Sequence, residues 1–330
     1  MKKTLPIVVI GGGMSGVMAA AKIEEKGLPV IILEQNSTIG GRMATNCMEG
    51  EKADYGAQFF TIRTLQFQKV VDVWERAGWV KHWFGDPYKR YKSIGGMKEL
   101  VKNLAEGMTV KLNTKVVSIH MIDEKYYNLK TETNENIEAR AVIVTAPAPQ
   151  IITLFHNSQL PIMKKVKNDL KAIQFAPSIV AVVKLSESTS LLDSGHLDHS
   201  LPQGLERIVD HSKKGLSSQT IVSIYADGKW SKQHWDMDDQ LLLDKLIEKS
   251  KKWINCSTIK TTHLKKWRYS EALSVIRKPF LNMELSVPFF AAGDAFLHKE
   301  DLAGRTRIES AVLSGIASGE AVIECLKNKG

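Results

Sequence analysis

The feature that most constrains this chain lies in its first sixteen residues. The apolar run Ile7-Val8-Val9-Ile10 leads directly into Gly11-Gly12-Gly13-Met14-Ser15-Gly16. A strand-like run feeding a G-x-G-x-x-G pattern predicts the opening of a dinucleotide-binding βαβ unit. Gly11 would permit the tight turn, Gly13 would let a pyrophosphate approach the backbone, and Gly16 would let the helix pack on the strand. Met14 and Ser15 stand at the helix start, where unpaired N–H groups and the positive dipole end meet an anion. The pattern predicts a helix over 14–26, apolar at Val17, Ala20, Ala21 and Ile23 and stopped by Gly27. A second apolar run, Val30-Ile31-Ile32-Leu33, ends at Glu34 and Gln35. Glu34 follows the glycines by roughly 20 residues, the place of an acid that takes a ribose hydroxyl.

A chain of 330 residues accommodates two domains, or one large α/β domain with an insertion. Its 43% apolar and 25% charged residues are those of an ordinary globular protein. No apolar stretch reaches membrane-spanning length. Lys2 and Lys3 before the apolar run, with Ala19-Ala20-Ala21 after it, imitate a secretory signal. Three glycines interrupt that run and cleavage would remove the nucleotide loop, so the expectation is a buried strand in a cytoplasmic protein. Cys47, Cys256 and Cys325 are sparse and show no C-x-x-C, which argues against a disulfide framework, a zinc site or a dithiol centre. No metal site is expected. The formal charge of +9 comes from dispersed lysines, among them Lys164, Lys165, Lys213, Lys214, Lys251, Lys252, Lys265 and Lys266. These read as a solvated surface, or as a field that draws in an anionic substrate. No nucleic-acid motif accompanies them.

Further motifs say which dinucleotide. Past Glu34 comes Gly40-Gly41-Arg42-Met43, and far downstream Phe289-Phe290-Ala291-Ala292 runs into Gly293-Asp294. Then follow Gly304-Arg305-Thr306-Arg307-Ile308-Glu309-Ser310-Ala311 and a helix rich in small residues at Ser314, Gly315, Ala317 and Gly319. This set resembles the flavin-containing amine oxidase superfamily. The resemblance implies FAD, with Gly41 and Arg42 at its diphosphate and ribose and Asp294 accepting from its ribityl chain. It also implies Val116, in Thr114-Lys115-Val116-Val117, over the adenine, with Ala141–Pro147 as the returning strand and loop. The helix that starts at Ile308 would present N–H groups to the flavin's pyrimidine edge and favour the charge of the reduced ring. Its small residues would pack closely on the sheet.

Asp54-Tyr55-Gly56-Ala57-Gln58-Phe59-Phe60, Gly95-Gly96-Met97, Trp230-Ser231-x-x-His234 and Lys266-Trp267-Arg268-Tyr269 narrow the resemblance to the renalase family. That likeness implies an FAD oxidase returning 2- and 6-dihydro isomers of NAD(P) to NAD(P)+, with O2 reduced to H2O2. Amine oxidases of the superfamily usually carry an aromatic residue two positions before the glutamate of the C-terminal motif; here that residue is Arg307. A guanidinium there would repel a cationic amine and tolerate an anionic nucleotide, unless it pairs with Glu309 or a phosphate. An amine oxidase or desaturase-like enzyme on another small substrate, and a flavin-binding protein without turnover, are the alternatives. No cysteine beside the C-terminal motif suggests a thioether, so FAD is expected to be non-covalent. A single G-x-G-x-x-G implies that a nicotinamide enters as substrate, at the flavin face.

The expected architecture is α/β: a Rossmann-type FAD-binding domain of the two-domain hydroxylase type, with a second α+β substrate domain on a mixed or antiparallel sheet. The FAD domain would take residues 1–65, 95–160 and 270–330, and the substrate domain 66–94 and 161–269. Strands are expected at 179–183, 220–224 and 261–264, a helix over 238–253, and a surface loop over 186–204. Hydride transfer to a flavin asks mainly for position and electrostatics. The catalytic candidates are Gln58, with Phe59, against the ring, Trp267 and Arg268 alternating on one strand, and Arg307. Trp267 would stack on a nicotinamide or pack in the core; Arg268 would hold a phosphate or carboxamide, or form a surface ion pair. His82 and His234 are proton-carrier candidates, although lone histidines are more often structural. Oligomeric state is not legible.

Overall fold

The computed structural model describes residues 4–301 and 304–328; Lys2 and Lys3 lie outside the described residues. The strand expected at the start is Ile7–Ile10, and it sits inside a six-stranded sheet. The order is Leu281–Asn282, Phe289–Ala291, Ala141–Val144, Ile7–Ile10, Val30–Leu33, Val110–Lys111. All neighbours run parallel except the first pair, so Ile7 stands between Val30 and Ala141. Near-continuous apolar runs follow from burial on both faces. Ile7, Val9, Ile32, Ile143 and Phe290 face one core with the helices Met14–Glu24 and Ile308–Lys327. Val8, Leu33, Val142, Val144 and Phe289 face the other. That second core is roofed by the antiparallel strands Val116–Ile122, Tyr126–Thr131 and Asn136–Ala139.

The first helix ends at Glu24, two residues short of the expectation, because Gly27 at φ +66° already turns the chain toward Val30. The last helix has a neighbour beyond the expected sheet. A Cβ on Gly315 would stand 2.3 Å from the Ser15 carbonyl oxygen, and one on Gly319 would stand 2.8 Å from that of Ala19. Its small residues therefore let it lie against the first helix as well as on the sheet, where Val312 and Leu313 share the core and Ser314 Oγ accepts from Gly293 N at 2.9 Å.

The second sheet is antiparallel throughout, in the order His196–Leu197, Leu205–Asp210, Ile221–Ala226, Phe175–Leu185, Ile259–Ala272. The strands anticipated at 179–183 and 261–264 lie within longer ones, and the one anticipated at 220–224 runs instead from Ile221 to Ala226. The helix Asp239–Ser250 covers its outer face with Leu242, Leu243 and Leu246. Asp238 caps it, accepting from Gln240 N at 2.9 Å and Leu241 N at 3.2 Å. The segment 186–204 is more than a surface loop: His196 and Leu197 pair with Val209 and Ile208 as an edge strand. That pairing buries His196.

Candidate functional site

A cavity of about 1140 Å³ starts at the carboxyl ends of the parallel strands and extends to the antiparallel sheet. Ligands of α/β folds bind in this position. The volume exceeds the roughly 300–1,000 Å³ of a pocket for one drug-sized ligand. It has room for an extended dinucleotide together with a second molecule.

The glycine turn forms one end. Gly11 has φ +111°, and a Cβ there would stand 2.5 Å from Thr145 Oγ1. A Cβ on Gly16 would stand 2.0 Å from the Gly11 carbonyl oxygen, so that approach requires glycine. A Cβ on Gly13 would meet nothing within 4 Å. Gly13 is also the N-cap of the first helix, without a side-chain cap. Beside it the Ser15 hydroxyl is buried with no protein partner. Open helix-start donors, an orphaned hydroxyl and vacant space beside Gly13 form a cradle whose chemistry fits a diphosphate.

Glu34 is buried and lines the cavity, and it also secures the turn. Oε2 accepts from Gly12 N at 2.8 Å, and Oε1 from Asn36 N at 2.9 Å and Asn36 Nδ2 at 2.6 Å. Gln35, Gly41 and Val116 line the same end.

Arg42 and Asp294, read as separate ligand contacts, meet each other. Arg42 Nη1 donates to Asp294 Oδ2 at 2.8 Å and Nη2 to Oδ1 at 2.5 Å, a bidentate pair across 252 positions of chain. Nη1 also donates to Ser270 O at 3.2 Å. The pair ties the Gly40-Gly41 turn to the Gly293-Asp294 turn and to the long strand of the antiparallel sheet. Gly293 and Ile308 line the cavity beside it. Arg307 reaches the cavity but is committed elsewhere: Nη2 contacts the Asp301 carboxylate at 2.7 and 2.6 Å and lies 3.7 Å from Glu309. Asp301 is the principal partner of that one nitrogen, while Nε and Nη1 are buried without a protein partner among the described residues. Glu309 is fully buried and accepts from Arg63 N at 3.0 Å and Thr64 N at 2.9 Å. It thereby anchors the loop ahead of the helix Leu65–Arg76.

The far wall holds the group that sequence reasoning misplaced. Lys214, counted among surface lysines, is 1% exposed in its side chain. Its Nζ donates to Asp54 Oδ2 at 2.7 Å and to Gln58 O and Gln58 Oε1 at 2.8 Å each. Burial pushes its pKa down, and the Asp54 carboxylate opposes that shift. Asp54 Oδ1 meanwhile accepts from Thr45 Oγ1 at 2.5 Å and from Met97 N at 2.8 Å. It therefore caps the helix Met97–Leu104 that Gly95-Gly96 introduces. The Asp54 carbonyl accepts from Gln58 Nε2 at 2.6 Å and Ser223 Oγ at 2.8 Å. Gln58 Nε2 also donates to the Tyr225 hydroxyl. Gln58, expected against the ring, lines the cavity and is fully buried, with both ends of its amide held by protein. Its contacts make it a strut that positions the wall. Lys92 donates to the Lys214 carbonyl. Burial, with repulsion from Lys81 and Lys214, pushes Lys92 down to about 8.

Phe59 lines the cavity and belongs to a packed aromatic cluster. Its ring centroid lies 5.4 Å from that of His196 and 6.3 Å from those of Trp83 and Phe84. Burial first, then the charge of Arg207, pushes His196 down to about 3, so it is neutral at ordinary pH. Phe60 points into the core against Tyr91, as its position suggested. Trp267 lines the cavity, stacks on Tyr55 at 5.8 Å and donates Nε1–H to the Tyr55 carbonyl at 2.9 Å. Arg268 is exposed at the cavity rim, its Cζ 4.8 Å from the Trp235 ring centroid. His82 is exposed, and His234 stacks on Trp230 at 4.1 Å; neither lines the cavity. Among the described residues no group of three His, Cys, Asp or Glu is placed to hold a metal. No helix there is long and apolar enough to cross a membrane.

Lys214, Arg90, Arg207 and His196 were missed because single charged or imidazole residues in polar surroundings carry no local signal of burial.

Residues 75–323 match the family described as flavin containing amine oxidoreductase, and residues 9–77 match an NAD(P)-binding Rossmann-like domain. A provisionally assigned protoporphyrinogen oxidase from Exiguobacterium sp. 255-15 superposes with a TM-score of 0.69 at 13% identity, covering 99% of this chain and 100% of that one. Putrescine oxidase bound to putrescine superposes with a TM-score of 0.69 at 12% identity, covering 97% and 99%. At such identities the likeness is one of fold. Pseudooxynicotine dehydrogenase from Pseudomonas sp. is 47% identical over 49 residues, 15% of this chain and 10% of that protein. The match therefore spans only about a tenth of that curated relative. The chain belongs to the flavin-containing amine oxidoreductase family.

Proposed function

We propose that this member of the flavin-containing amine oxidoreductase family is an FAD-dependent oxidase of renalase-like specificity, acting on 2- and 6-dihydro isomers of NAD(P). FAD bound in the cavity supplies a two-electron acceptor, so that a dihydronicotinamide, O2 and a proton become NAD(P)+ and H2O2. The observation that carries the reading is the single continuous cavity, with a diphosphate cradle at one end and Phe59, Tyr225, Arg90 and Arg207 lining the other. One dinucleotide loop serves the cofactor, and a nicotinamide would come in as substrate.

In this reading Gly11, Gly13, Met14 and Ser15 hold the diphosphate, with Gly16 permitting the close approach that shapes the turn, Glu34 and Gln35 the adenosine ribose, and Val116 the adenine. Gly41, Arg42, Gly293 and Asp294 hold the middle of the molecule, and Phe59 and Ile308 flank its ring end. The cofactor is non-covalent. Trp267 and Arg268 contact the substrate, while Gln58 and Arg307 act by keeping the wall and the last helix in place. The division into segments 1–65, 95–160 and 270–330 for cofactor, and 66–94 and 161–269 for substrate, is supported by the two sheets falling on either side of the cavity. A cytoplasmic location goes with a dinucleotide substrate, and no nucleic-acid or membrane partner is invoked.

A second reading, oxidation of a cationic amine, draws on Asp198 and Glu206, which also line the cavity. Anaerobic mixing of the FAD-loaded protein with dihydronicotinamide isomers or amines separates the two. Rapid loss of the flavin's visible absorbance with the isomers and none with amines is the expected result. Bleaching by amines alone would sink the first reading. Bleaching by neither would favour a flavin-binding protein without turnover.

A further inference from the structure

Two arginines converge where the cavity meets the antiparallel sheet. Arg90 opens the strand Arg90–Ser93, and Arg207 lies in Leu205–Asp210. A register shift between Leu205 and Arg207 marks a β-bulge. Adjacent strand residues ordinarily face opposite sides, and a bulge re-aims one of them. As a result Glu206 and Arg207 both line the cavity. The two guanidiniums flank one ring: Cζ of Arg90 is 5.3 Å and Cζ of Arg207 is 5.2 Å from the Phe59 centroid. Arg90 also stands 4.9 Å from Phe84, and Arg207 stands 5.9 Å from Tyr225.

The fixed counter-charges do not saturate them. Arg207 Nη2 donates once to Glu206, at 3.2 Å, and that carboxylate is 46% exposed and screened by solvent. Arg90 lies 3.9 Å from Asp198, beyond hydrogen-bond reach. Nε of both arginines is buried without a partner. Each guanidinium has five donors in a planar fork. The side chains remain 28% and 23% exposed and line the cavity with Phe59, whose ring Trp83, Phe84 and His196 buttress at steep angles of 58°, 71° and 80°. His196, held neutral, adds no charge to this pair.

We propose that Arg90 and Arg207 form an oxyanion anchor that selects planar substrates carrying a carboxylate or phosphate, with the ring against the Phe59 wall. The inference rests on the reading of this region as the substrate end of the cavity, and it deepens that reading. Bidentate recognition by arginine accounts for two unsaturated forks at one place. An amine meeting the same pair is repelled.

The test is calorimetric titration of the FAD-loaded protein with four probes of one shape: benzoate, phenyl phosphate, benzamide and benzylamine. The anchor predicts that at least one anion binds ten or more times tighter than benzamide, and that benzylamine binds weakest, by the arithmetic of about tenfold per 1.4 kcal/mol. The better anion tells carboxylate from phosphate. Arg90→Gln and Arg207→Gln, with unchanged visible flavin spectra, are each expected to lose the anion preference about tenfold while benzamide stays the same. Should either Gln variant fail to fold, Arg→Lys at that position keeps the charge and loses the fork, and an intermediate affinity is expected. Equal binding of benzamide or benzylamine, or Arg variants with unaltered anion affinity, overturns the anchor. Anaerobic reduction by dihydronicotinamide isomers is run alongside. Anion binding that depends on the arginines without such reduction overturns only the nicotinamide reading. Reduction with an affinity that neither Arg variant changes overturns only the anchor.

Discussion

Lys214→Met tests the view that a buried ion pair, far from the cradle, holds the wall of the cavity. The Lys214 ammonium uses all three of its donors within 2.8 Å, on Asp54 Oδ2 and on both oxygens of Gln58. Methionine preserves the length and apolar stem but leaves the fully buried Asp54 carboxylate with only Thr45 and Met97 as donors. Removing one partner of a buried pair costs about 3–5 kcal/mol. For a chain of this length 1 kcal/mol corresponds to about 2 °C in Tm, so a drop of roughly 6–10 °C is expected. The assay is thermal unfolding by near-ultraviolet circular dichroism at fixed FAD concentration, because a ligand bound only to the folded state shifts Tm by itself. The Asp54→Asn/Lys214→Met double variant removes the stranded charge as well and should melt no lower than Lys214→Met. A single variant within 2 °C of wild type, or a double variant that loses the sum of both single effects, would refute the reasoning that burial, not surface solvation, governs Lys214.

Other perturbations separate ligand binding from folding. Gly13→Ser places a good N-cap residue in the vacant space beside the helix start. Apo stability should hold while FAD affinity falls by more than about tenfold, and calorimetry showing unchanged affinity would remove Gly13 from the diphosphate cradle. Gly16→Ala instead forces a Cβ to 2.0 Å from the Gly11 carbonyl oxygen and should cost about 1–3 kcal/mol or more in urea unfolding of the apo chain. Lys92 is held at about 8 in the folded chain, against an ordinary 10.5. Between those values the unfolded chain binds more protons, so wild type should gain stability relative to Lys92→Met as pH rises, by at most about 1.4 kcal/mol per pH unit. A Tm difference that is flat or falls between pH 8 and pH 10 would contradict it. Glu309→Gln leaves one of the Arg63 and Thr64 backbone donors facing an amide N–H, and should cost about 1.5–3 kcal/mol in Tm-derived stability.

Parts of this protein were legible before any coordinates because they are set by neighbours in sequence. The run Ile7–Ile10, the glycines at 11, 13 and 16 and the acid at 34 define one βαβ unit through local periodicity and turn chemistry. The structure finds them in parallel register, with the steric reason for Gly11 and Gly16 intact. The apolar runs at 141–144 and 289–291 likewise declared themselves as interior strands, since a strand covered on both faces must be apolar throughout. The small residues of the last helix were recognisable, but their partner, the backbone of the first helix, was not.

What only the tertiary structure decided is the destination of the charged side chains. Arg42 and Asp294 each looked like a ligand contact, and 252 positions apart they also close on one another while lining the cavity. Arg307 meets Asp301 through one nitrogen, a partner its sequence neighbourhood did not suggest. Lys214, in a polar turn of the kind that normally sits in water, is buried because Asp54 and Gln58, about 160 positions earlier, wait for its ammonium. Backbone conformation and apolar periodicity are short-range properties that a sequence states outright. Burial of a charge depends on which opposite charge the completed fold brings to it, and that pairing exists only once distant segments have met.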